Sequence, residues 1–478
     1  MAPPLTVRNL TSTAIELKLI ERYESPTAHE PEAAQGLGNF TRNLTNLVAN
    51  TTNLQIAEPS APKLAENAKS FAHQDVSIRI DAFASKKTDI KATERSNTEI
   101  LRVTIESEGQ KYRIDTPSPK DESQTFTPLA QNAKHAYTGI FLPATTHLTI
   151  FSSANLNCWM KELKNETPLS ALSIPGTHNS PTCHRALPSV RCQAVSPREQ
   201  LDNGVRFFDI RVQPESPQDA KKDGLILVHS VFPISLTGNK YFRDLINEVE
   251  DFLQRNPSET VIISLKREGP GEATDQQLSR ILHDHYANDS KKWFTEPRIP
   301  RLGEARGKIV LFRRFVLDDA QKKEHGGKGW GINAESWADN TPNNTHDQVC
   351  VQDFYEVLDT MNIDKKIKYA EDHLLRSGSA VCPVGQGHPE GKPGLLYVNF
   401  LSASNFWKVG CWPDKIAAKM NPAMVQFLCE KDISGEHGKG DGCTGVVVCD
   451  WVGDRGDWDL VRCIVGMNGK LEMREKRR

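Results

Sequence analysis

The chain has 478 residues, more than one hydrophobic core usually holds, which favours two or more domains. Its apolar content of 38% and charged content of 25% are ordinary for a globular protein. A net charge of −2 lacks the basic excess of a nucleic-acid-binding protein, so we expect no nucleic-acid partner. No apolar run is long enough to cross a bilayer and Met1–Leu10 lacks a secretory signal. We therefore expect a cytoplasmic protein without a transmembrane segment, with unconventional secretion left open.

The pattern of apolar and polar residues changes near residue 152. Before this residue, apolar and polar residues alternate in short segments, which indicates strands with one solvent-exposed face. These segments are Leu5–Asn9, Ala14–Ile20, Val76–Ile80, Ile100–Ile105 and Tyr112–Ile114. The stretch Asn39–Ala72 fits either a long loop or a helix. We predict a mainly β, antiparallel, sandwich-like accessory domain over residues 1–152 and a second domain over 153–478.

The second domain contains eight short, nearly continuous apolar runs, which are typical of strands buried on both faces. They are Ala171–Ile174, Val205–Val212, Leu225–His229, Val261–Lys266, Ile309–Phe315, Val349–Asp353, Leu395–Phe400 and Val446–Asp450. Helical periodicity appears between several of them, for example over Phe242–Leu253. Eight strands with helical crossovers predict an α/β fold, a parallel (β/α)8 TIM barrel whose active face lies at the strand carboxyl ends.

Polar or titratable residues stand at seven of these eight strand ends. They are His178 with Asn179, Asp209 with Arg211, His229, Lys266, Arg314, Asp353 with Tyr355, and Asp450. One buried His or Asp is usually a core residue whose hydrogen bonds are satisfied. Repetition at the same end of successive strands is not explained in that way and indicates a catalytic face.

The residue types in this set favour cleavage of a phosphodiester. His178 and His229 suit a general base and a general acid on opposite sides of one phosphorus. Asp450 would orient an imidazole, and Arg211 would hold a phosphate oxygen by charge-assisted hydrogen bonds. The remaining residues offer donors and acceptors for a polyhydroxylated ring: Lys266, Arg314, Asp353 and Tyr355.

From about Leu169 onward the sequence resembles phosphatidylinositol-specific phospholipase C of the bacterial, metal-independent X-domain type. The motifs are Ser-Ile-Pro-Gly-Thr-His178, Phe-Asp209-Ile-Arg211, Val-His229, Ser-Leu-Lys266, Phe-Arg-Arg314, Val-Gln-Asp353-Phe-Tyr355 and Val-Val-Cys-Asp450, in the family's order. Nothing before about Asn155 shares in the resemblance, so the family's domain is preceded by an extra one.

The resemblance implies a distorted (β/α)8 barrel that cleaves phosphatidylinositol to diacylglycerol and inositol 1,2-cyclic phosphate, with no cofactor. His178, supported by Asp450, would take the proton of the inositol 2-hydroxyl, and His229 would protonate the departing diacylglycerol oxygen. Arg211 and Lys266 would stabilise charge at the phosphate. The substrate-binding set also includes Asn179 and Lys266. Within it, Arg314 and Asp353 would bind inositol hydroxyls and Tyr355 would stack on the ring.

Two details of charge refine this expectation. The positions that hold calcium in the metal-dependent branch are here Asn179, Asp209, Arg211 and Lys266, which together are cationic and would repel the ion. The bacterial pattern has an aspartate, paired with the second histidine, where this chain has Asn179. His229 would then lack a carboxylate partner, and we expect activity that is weaker.

Three aromatic residues follow the seventh strand: Phe406, Trp407 and Trp412. They suit either insertion into a lipid headgroup layer or packing under their own loop. We expect peripheral association with membranes that contain phosphatidylinositol. Two alternatives stay open, a catalytically weakened relative that binds lipid or protein and an enzyme for glycosylated inositol lipids.

Overall fold

Contacts within the chain divide it into two units, Met1–Ser153 and Ala154–Arg478. The structure is a computed structural model that describes residues 3–25, 64–65, 67–92, 99–118, 122–219, 221–382, 394–435 and 438–471. Most of the stretch Asn39–Ala72, for which the sequence left loop and helix open, lies outside the described residues.

The first unit consists of short strands in two sheets. The strands are β1 (Pro4–Leu10), β2 (Ile15–Glu24), β3 (Ala72–Ile80), β4 (Ser85–Lys91), β5 (Glu99–Ser107), β6 (Gln110–Thr116), β7 (Ser123–Thr125), β8 (Thr127–Pro128), β9 (Tyr137–Leu142) and β10 (His147–Ser152). One sheet has the order β4-β1-β10-β9-β7 and the other β3-β2-β5-β6-β8. Buried side chains from both sheets form one core, as the alternating sequence pattern leads one to expect.

One pairing in this unit differs from the antiparallel arrangement that the sequence predicts. β1 and β10 run parallel, with Thr6 opposite His147 and Leu10 opposite Phe151. The other strand pairs described in the unit are antiparallel. A tight hairpin forces two strands to be antiparallel, but β1 and β10 are joined by almost the whole unit. A connection of this length allows the two strands to be parallel.

The second unit alternates strands and helices. Its strands are β11 (Ser173–Thr177), β12 (Phe207–Pro214), β13 (Leu225–His229), β14 (Phe232–Pro233), β15 (Val261–Arg267), β16 (Trp293–Phe294), β17 (Ile309–Arg313), β18 (Ile332–Asn333), β19 (Asn344–His346), β20 (Val349–Gln352), β21 (Leu396–Phe400) and β22 (Gly445–Cys449). Its α-helices are α1 (Pro197–Asp202), α2 (Phe242–Arg255), α3 (Asp275–His285), α4 (Leu302–Ala305), α5 (Glu324–Gly327), α6 (Asn362–Ser379), α7 (Pro413–Glu430) and α8 (Asp459–Gly466). Short 3-10 turns occur at Leu156–Glu162, Leu169–Ala171, Gln321–Lys323, Val409–Cys411 and Asp454–Gly456.

The sheet of this unit curls around a buried interior. Its strand order is β16-β17-β15-β12-β11-β22-β21-β20-β19, and the strands from β17 to β20 along this path are parallel. Within the described ranges no strand pair joins β17 to β20, so hydrogen bonds do not close the ring there. Helices such as α2 cover the sheet with one apolar face, which includes Phe242, Leu245, Val249 and Phe252.

The predicted direction of the third barrel strand is wrong. Leu225–His229 is a strand, but β13 runs antiparallel to β12, with Leu227 opposite Val212, and lies off the parallel path. The described stretch between β12 and β13 contains no helix, and a parallel return needs a crossover connection of a dozen residues or more. β13 therefore folds back beside β12, and this hairpin arm carries His229.

A fully buried ion pair joins the amino-terminal part of this unit to its sheet. The Arg206 guanidinium donates to Glu259 at 2.9 Å, and both side chains have no exposed surface. Its other N–H groups donate to backbone carbonyls of Leu156, Asn157, Leu201 and Val205. Arg206 thus holds three chain segments together around one charge.

We expect Arg206→Met to destabilise the second unit by about 3–5 kcal/mol, because Glu259 is left as a buried charge without its partner. The free energy of unfolding is measured by denaturant titration with tryptophan fluorescence, which reports this unit alone because all eight tryptophans lie at or beyond Trp159. Lys368→Met, which removes an exposed ion pair to Asp372, is the matched control and should cost about 0.3–0.5 kcal/mol. Equal losses in the two variants would contradict the role of Arg206.

Candidate active site

A cavity of about 450 Å³ opens at the carboxyl ends of the parallel strands. It is lined by side chains that stand in or after eight different strands. The lining residues are His178, Arg211, His229, Ser230, Lys266, Glu268, Arg314, Ala334, Glu335, Trp337, Asp339, Asp353, Tyr355, Ser402, Ala403 and Ser404. Seven of the residues predicted from the sequence therefore meet in one place.

His178 follows β11 directly, and the register of β11 against β22 gives it a partner. Thr177 lies opposite Cys449, so the next residues, His178 and Asp450, are also neighbours. Nδ1 of His178 lies 2.9 Å from Oδ1 of Asp450, and its backbone N–H donates to the Cys449 carbonyl at 2.9 Å. With Nδ1 engaged by the carboxylate, Nε2 is the nitrogen left for a molecule in the cavity.

The His178–Asp450 pair is held in a dry environment that shifts its proton affinity. Burial alone lowers the pKa of the His178 imidazole, but the Asp450 carboxylate raises it well above its ordinary value. Burial raises the pKa of Asp450, and the nearby imidazoles bring it part of the way back. The carboxylate thus strengthens His178 as a proton acceptor, as the sequence predicts for an orienting residue.

His229 faces His178 edge-on from the hairpin arm. The two ring centroids are 5.7 Å apart with an interplanar angle of 84°. Nδ1 of His229 lies 2.7 Å from the Val190 carbonyl oxygen, which can only accept, so this nitrogen carries a proton. Burial lowers the pKa of His229, and the neighbouring Cys192 raises it above the ordinary value. The acceptor behind His229 is a backbone carbonyl rather than a carboxylate.

Arg211 lies between two carboxylates. It donates to Asp209 at 3.1 Å and to Glu268 at 2.7 Å, and its Nε has no hydrogen-bond partner in the structure. Burial lowers the pKa of Arg211, but the two carboxylates outweigh burial and raise this pKa above its ordinary value. The guanidinium therefore stays charged. Lys266, which lies opposite Arg211 in the strand register, also donates to Glu268, at 3.0 Å.

The buried carboxylate of Asp209 links both arginines of the cavity. It accepts from Arg211 and, at 3.2 Å, from Arg314. Burial would raise the pKa of Asp209, but these guanidinium groups hold it far below its usual range. The Arg314 guanidinium lies 4.0 Å from the centroid of the Trp337 ring, which fixes its plane.

The opposite wall carries Asp353 and Tyr355, just after β20. The Tyr355 hydroxyl donates to the Asp339 carboxylate at 2.9 Å. Burial, helped by Asp339, raises the pKa of Tyr355 to about 12, so its hydroxyl stays protonated. Asp353 lines the cavity, and its backbone N–H donates to the Thr341 carbonyl.

The sequence predicts that Asn179 binds substrate, but Asn179 is not among the residues that line the cavity. Its side chain is fully buried, and neither of its polar atoms has a hydrogen-bond partner. The backbone φ is 40°, a left-handed conformation that Asn tolerates better than most residues, and its N–H lies 3.3 Å from Asp209. Asn179 therefore serves the turn after β11 through its backbone.

Several residues of the site were not predicted from the sequence. Glu268 had a usable signal, because it lies two residues after Lys266 and so shares the same face of the strand. Trp337, Asp339 and Cys192 lie in loops, where the sequence has no periodic pattern from which a contact could be predicted. These loop residues reach the site only through the folded path of the chain.

The three aromatic residues after β21 occupy different environments. Trp407 is 89% exposed. The Phe406 ring stacks on Phe232, with centroids 5.2 Å apart, and Trp412 donates from Nε1 to the Phe406 carbonyl at 3.1 Å. Exposed apolar side chains also occur at Val231, Leu358, Met361 and Val409, in loops that follow β13, β20 and β21. Trp412 thus packs against its own loop, whereas Trp407 is free to meet another surface.

The sequence of this chain is similar to those of several known proteins. Residues 165–315 match the family described as phosphatidylinositol-specific phospholipase C, X domain. The 1-phosphatidylinositol phosphodiesterase of Listeria monocytogenes is 32% identical over 171 residues, which cover 34% of this chain and 50% of that enzyme. The enzyme of the same name from Staphylococcus aureus strain Newman is 26% identical over 313 residues, covering 62% of this chain and 88% of the relative. Human PI-PLC X domain-containing protein 1 is 24% identical, covering 64% and 89% respectively.

A solved structure supports the fold. A double mutant of the phosphatidylinositol-specific phospholipase C from Staphylococcus aureus superposes with a TM-score of 0.50 at 24% identity, covering 66% of this chain and 97% of that one. The second unit is thus an α/β protein of TIM-barrel type with a curled sheet. Residues 165–315 of this unit match the phosphatidylinositol-specific phospholipase C X-domain family, as the sequence motifs predict.

We expect Asp450→Asn to lower the pKa of His178, because the charge that stabilises the imidazolium is removed. His178 would then become neutral at a lower pH than in the unmodified protein. NMR titration with ¹³C-labelled histidine measures this, and His178→Gln assigns the signal. Asp454→Asn removes a half-exposed carboxylate four residues further on and should leave the titration in place. An unchanged midpoint in Asp450→Asn would contradict the pairing.

Proposed function

We propose that this protein is a phosphatidylinositol-specific phospholipase C that releases diacylglycerol and forms inositol 1,2-cyclic phosphate. The observation that carries the proposal is the pair of facing imidazoles, 5.7 Å apart, beside the Arg211 guanidinium. Each ring is oriented from behind through Nδ1, His178 by Asp450 and His229 by the Val190 carbonyl. Both Nε2 atoms are therefore available to a substrate in the cavity.

The reaction divides between the two rings. Nε2 of His178 accepts the proton of the inositol 2-hydroxyl, and the resulting oxygen nucleophile attacks the phosphorus. The bond from phosphorus to the diacylglycerol oxygen breaks, and that oxygen takes a proton from Nε2 of His229. Arg211, which lines the cavity, holds a phosphate oxygen where negative charge develops.

The far wall of the cavity suits the inositol ring. Asp353 offers carboxylate acceptors for ring hydroxyls. Arg314 offers N–H donors, and its guanidinium is positioned by contact with the Trp337 ring. The Tyr355 ring provides an apolar face for stacking, because its hydroxyl is tied to Asp339. This mixture of one aromatic face with charged groups fits a polyhydroxylated ring better than an apolar ligand.

The charge pattern favours a reaction without calcium. The two carboxylates that contact Arg211, Asp209 and Glu268, are already neutralised by Arg211, Lys266 and Arg314. Lys266 and Arg211 hold the pKa of Glu268 down to about 2 against the effect of burial. A hard dication needs free oxygen ligands, so these residues do not fit calcium and Arg211 acts in its place.

The catalytically weakened alternative receives less support. The base, its carboxylate, the acid and the phosphate-binding guanidinium are all present and in contact with their partners. We also propose that residues 1–152 form a β-sandwich accessory domain and that the enzyme acts as a peripheral protein at membranes. The helices in the described parts of the chain include none that is long and apolar enough to span a bilayer.

We expect the full chain to convert phosphatidylinositol in vesicles to cyclic inositol phosphate in the presence of a calcium chelator. His178→Ala and His229→Ala should each lower the rate by about 10²–10⁴-fold, because each removes a proton-transfer group. ³¹P NMR of the products measures both the rate and the cyclic ester. His325→Ala, at an exposed histidine of α5, is the control and should keep the full rate. Turnover that appears only with added calcium, or that survives both substitutions, would refute the mechanism.

We expect Trp407→Ala to weaken association with phosphatidylinositol vesicles, because an 89% exposed indole beside the cavity loses its place in the headgroup layer. Vesicle cosedimentation measures binding, and turnover of a soluble inositol phosphodiester shows whether the cavity is intact. Val381→Ala is the control. It removes an exposed apolar side chain just beyond the end of α6, which returns to the opposite end of the strands. Binding that is unchanged by Trp407→Ala would exclude the membrane role of this residue.

A further inference from the structure

A cysteine lies between the two imidazoles of the site. One side-chain ligand atom each from His178, Cys192 and His229 lies within 4.8 Å of the others, and the described residues contain no other cluster of this kind. The Cys192 sulfur is 3.7 Å from Nδ1 of His229. Its backbone is fixed, since its N–H donates to the Thr182 hydroxyl at 3.1 Å and its carbonyl accepts from Trp451 at 2.8 Å.

Two protons of this cluster point at a single oxygen. The Val190 carbonyl accepts from Nδ1 of His229 at 2.7 Å and from the Cys192 thiol at 3.4 Å. The thiol has no exposed surface, yet it lies behind two residues that line the cavity. A cation that replaced both protons would lie on the side of Nδ1 and the sulfur that the Val190 carbonyl now faces.

We propose that His178, Cys192 and His229 form a site for a thiophilic divalent cation, with Zn²⁺ as the best fit. The cation takes Nε2 of His178, the Cys192 thiolate and Nδ1 of His229, with water as the fourth ligand. The thiol releases its proton to solvent, and the His229 imidazole carries its proton on Nε2 instead of Nδ1. Bond lengths of about 2.0–2.1 Å to nitrogen and 2.3 Å to sulfur require two movements. The ligand atoms, now within 4.8 Å of one another, must move closer together, and the His229 ring must turn Nδ1 away from the Val190 carbonyl.

The chemistry of the donors decides which cation is bound. Two imidazoles and a thiolate select zinc over the hard cations calcium and magnesium. His178 already has the outer partner that zinc-bound histidines usually have, because its Nδ1 bonds to the Asp450 carboxylate.

Occupancy of this site has a direct consequence for the lyase reaction, and this consequence rests on the proposed function. The cation takes the lone pair of Nε2 of His178 that accepts the 2-hydroxyl proton. Turnover should therefore stop when zinc is bound and return when a chelator removes it.

The test is a titration of the reduced full chain with Zn²⁺ in competition with a chromophoric chelator. The unmodified protein should bind one ion that Cys192→Ser weakens by more than about tenfold. Cys183→Ser removes a partly exposed thiol from the same loop region and should bind as the unmodified protein does. With Co²⁺ as a probe, a sulfur-to-cobalt charge-transfer band should appear in the unmodified protein and in Cys183→Ser, and be absent in Cys192→Ser.

Equal zinc affinity with and without Cys192, or a cobalt spectrum without the sulfur band, would overturn the proposal. If Cys192→Ser does not fold, His178→Gln removes another ligand and must weaken zinc binding to the same extent. Binding is measured without substrate, so it stands or falls separately from the lyase. Zinc binding in a chain that never cleaves phosphatidylinositol would support this site and refute the proposed function.

Discussion

The parallel register of four neighbouring strands, β22, β11, β12 and β15, is the constraint on which the site depends. It sets His178 beside Asp450 on the first pair of neighbours and Arg211 beside Lys266 on the last. Backbone hydrogen bonds fix this alignment, so a slip of one residue in any pair would turn a catalytic side chain to the other face of the sheet. The chemistry therefore rests on strand geometry, while loops supply the walls of the cavity.

A second constraint is electrostatic. Three cations, Arg211, Lys266 and Arg314, share two carboxylates, Asp209 and Glu268, at distances of 2.7–3.2 Å. Carboxylates held in this way keep the guanidinium groups charged in a buried place, where an unpaired charge would be very costly. The network as a whole keeps one excess positive charge, and a phosphodiester brings the single negative charge that balances it.

The sequence was enough to predict eight of the twelve strands described in the second unit and the residues at their ends, because buried parallel strands have a nearly continuous apolar pattern. It could not predict that β13 runs backwards, since apolar content carries no information on direction. Cys192 and Trp337 were missed for a related reason, because they reach the site through loops. In the first unit the alternation indicated β structure, but the parallel contact of β1 with β10 depends on a connection through almost the whole unit.

The residue at position 179 affects the general acid, His229, because it decides which group contacts that ring from behind. With Asn179 buried and turned away from any hydrogen-bond partner, the group behind His229 is the Val190 carbonyl, which carries only a partial charge. Such an acceptor orients the ring but stabilises the imidazolium less than a carboxylate does. Cys192, 3.7 Å from Nδ1, raises the pKa of His229 when its thiol is ionised. One buried thiol thus strengthens the hold of the general acid on its proton, and the same thiol makes the pair of imidazoles a ligand set for a soft cation.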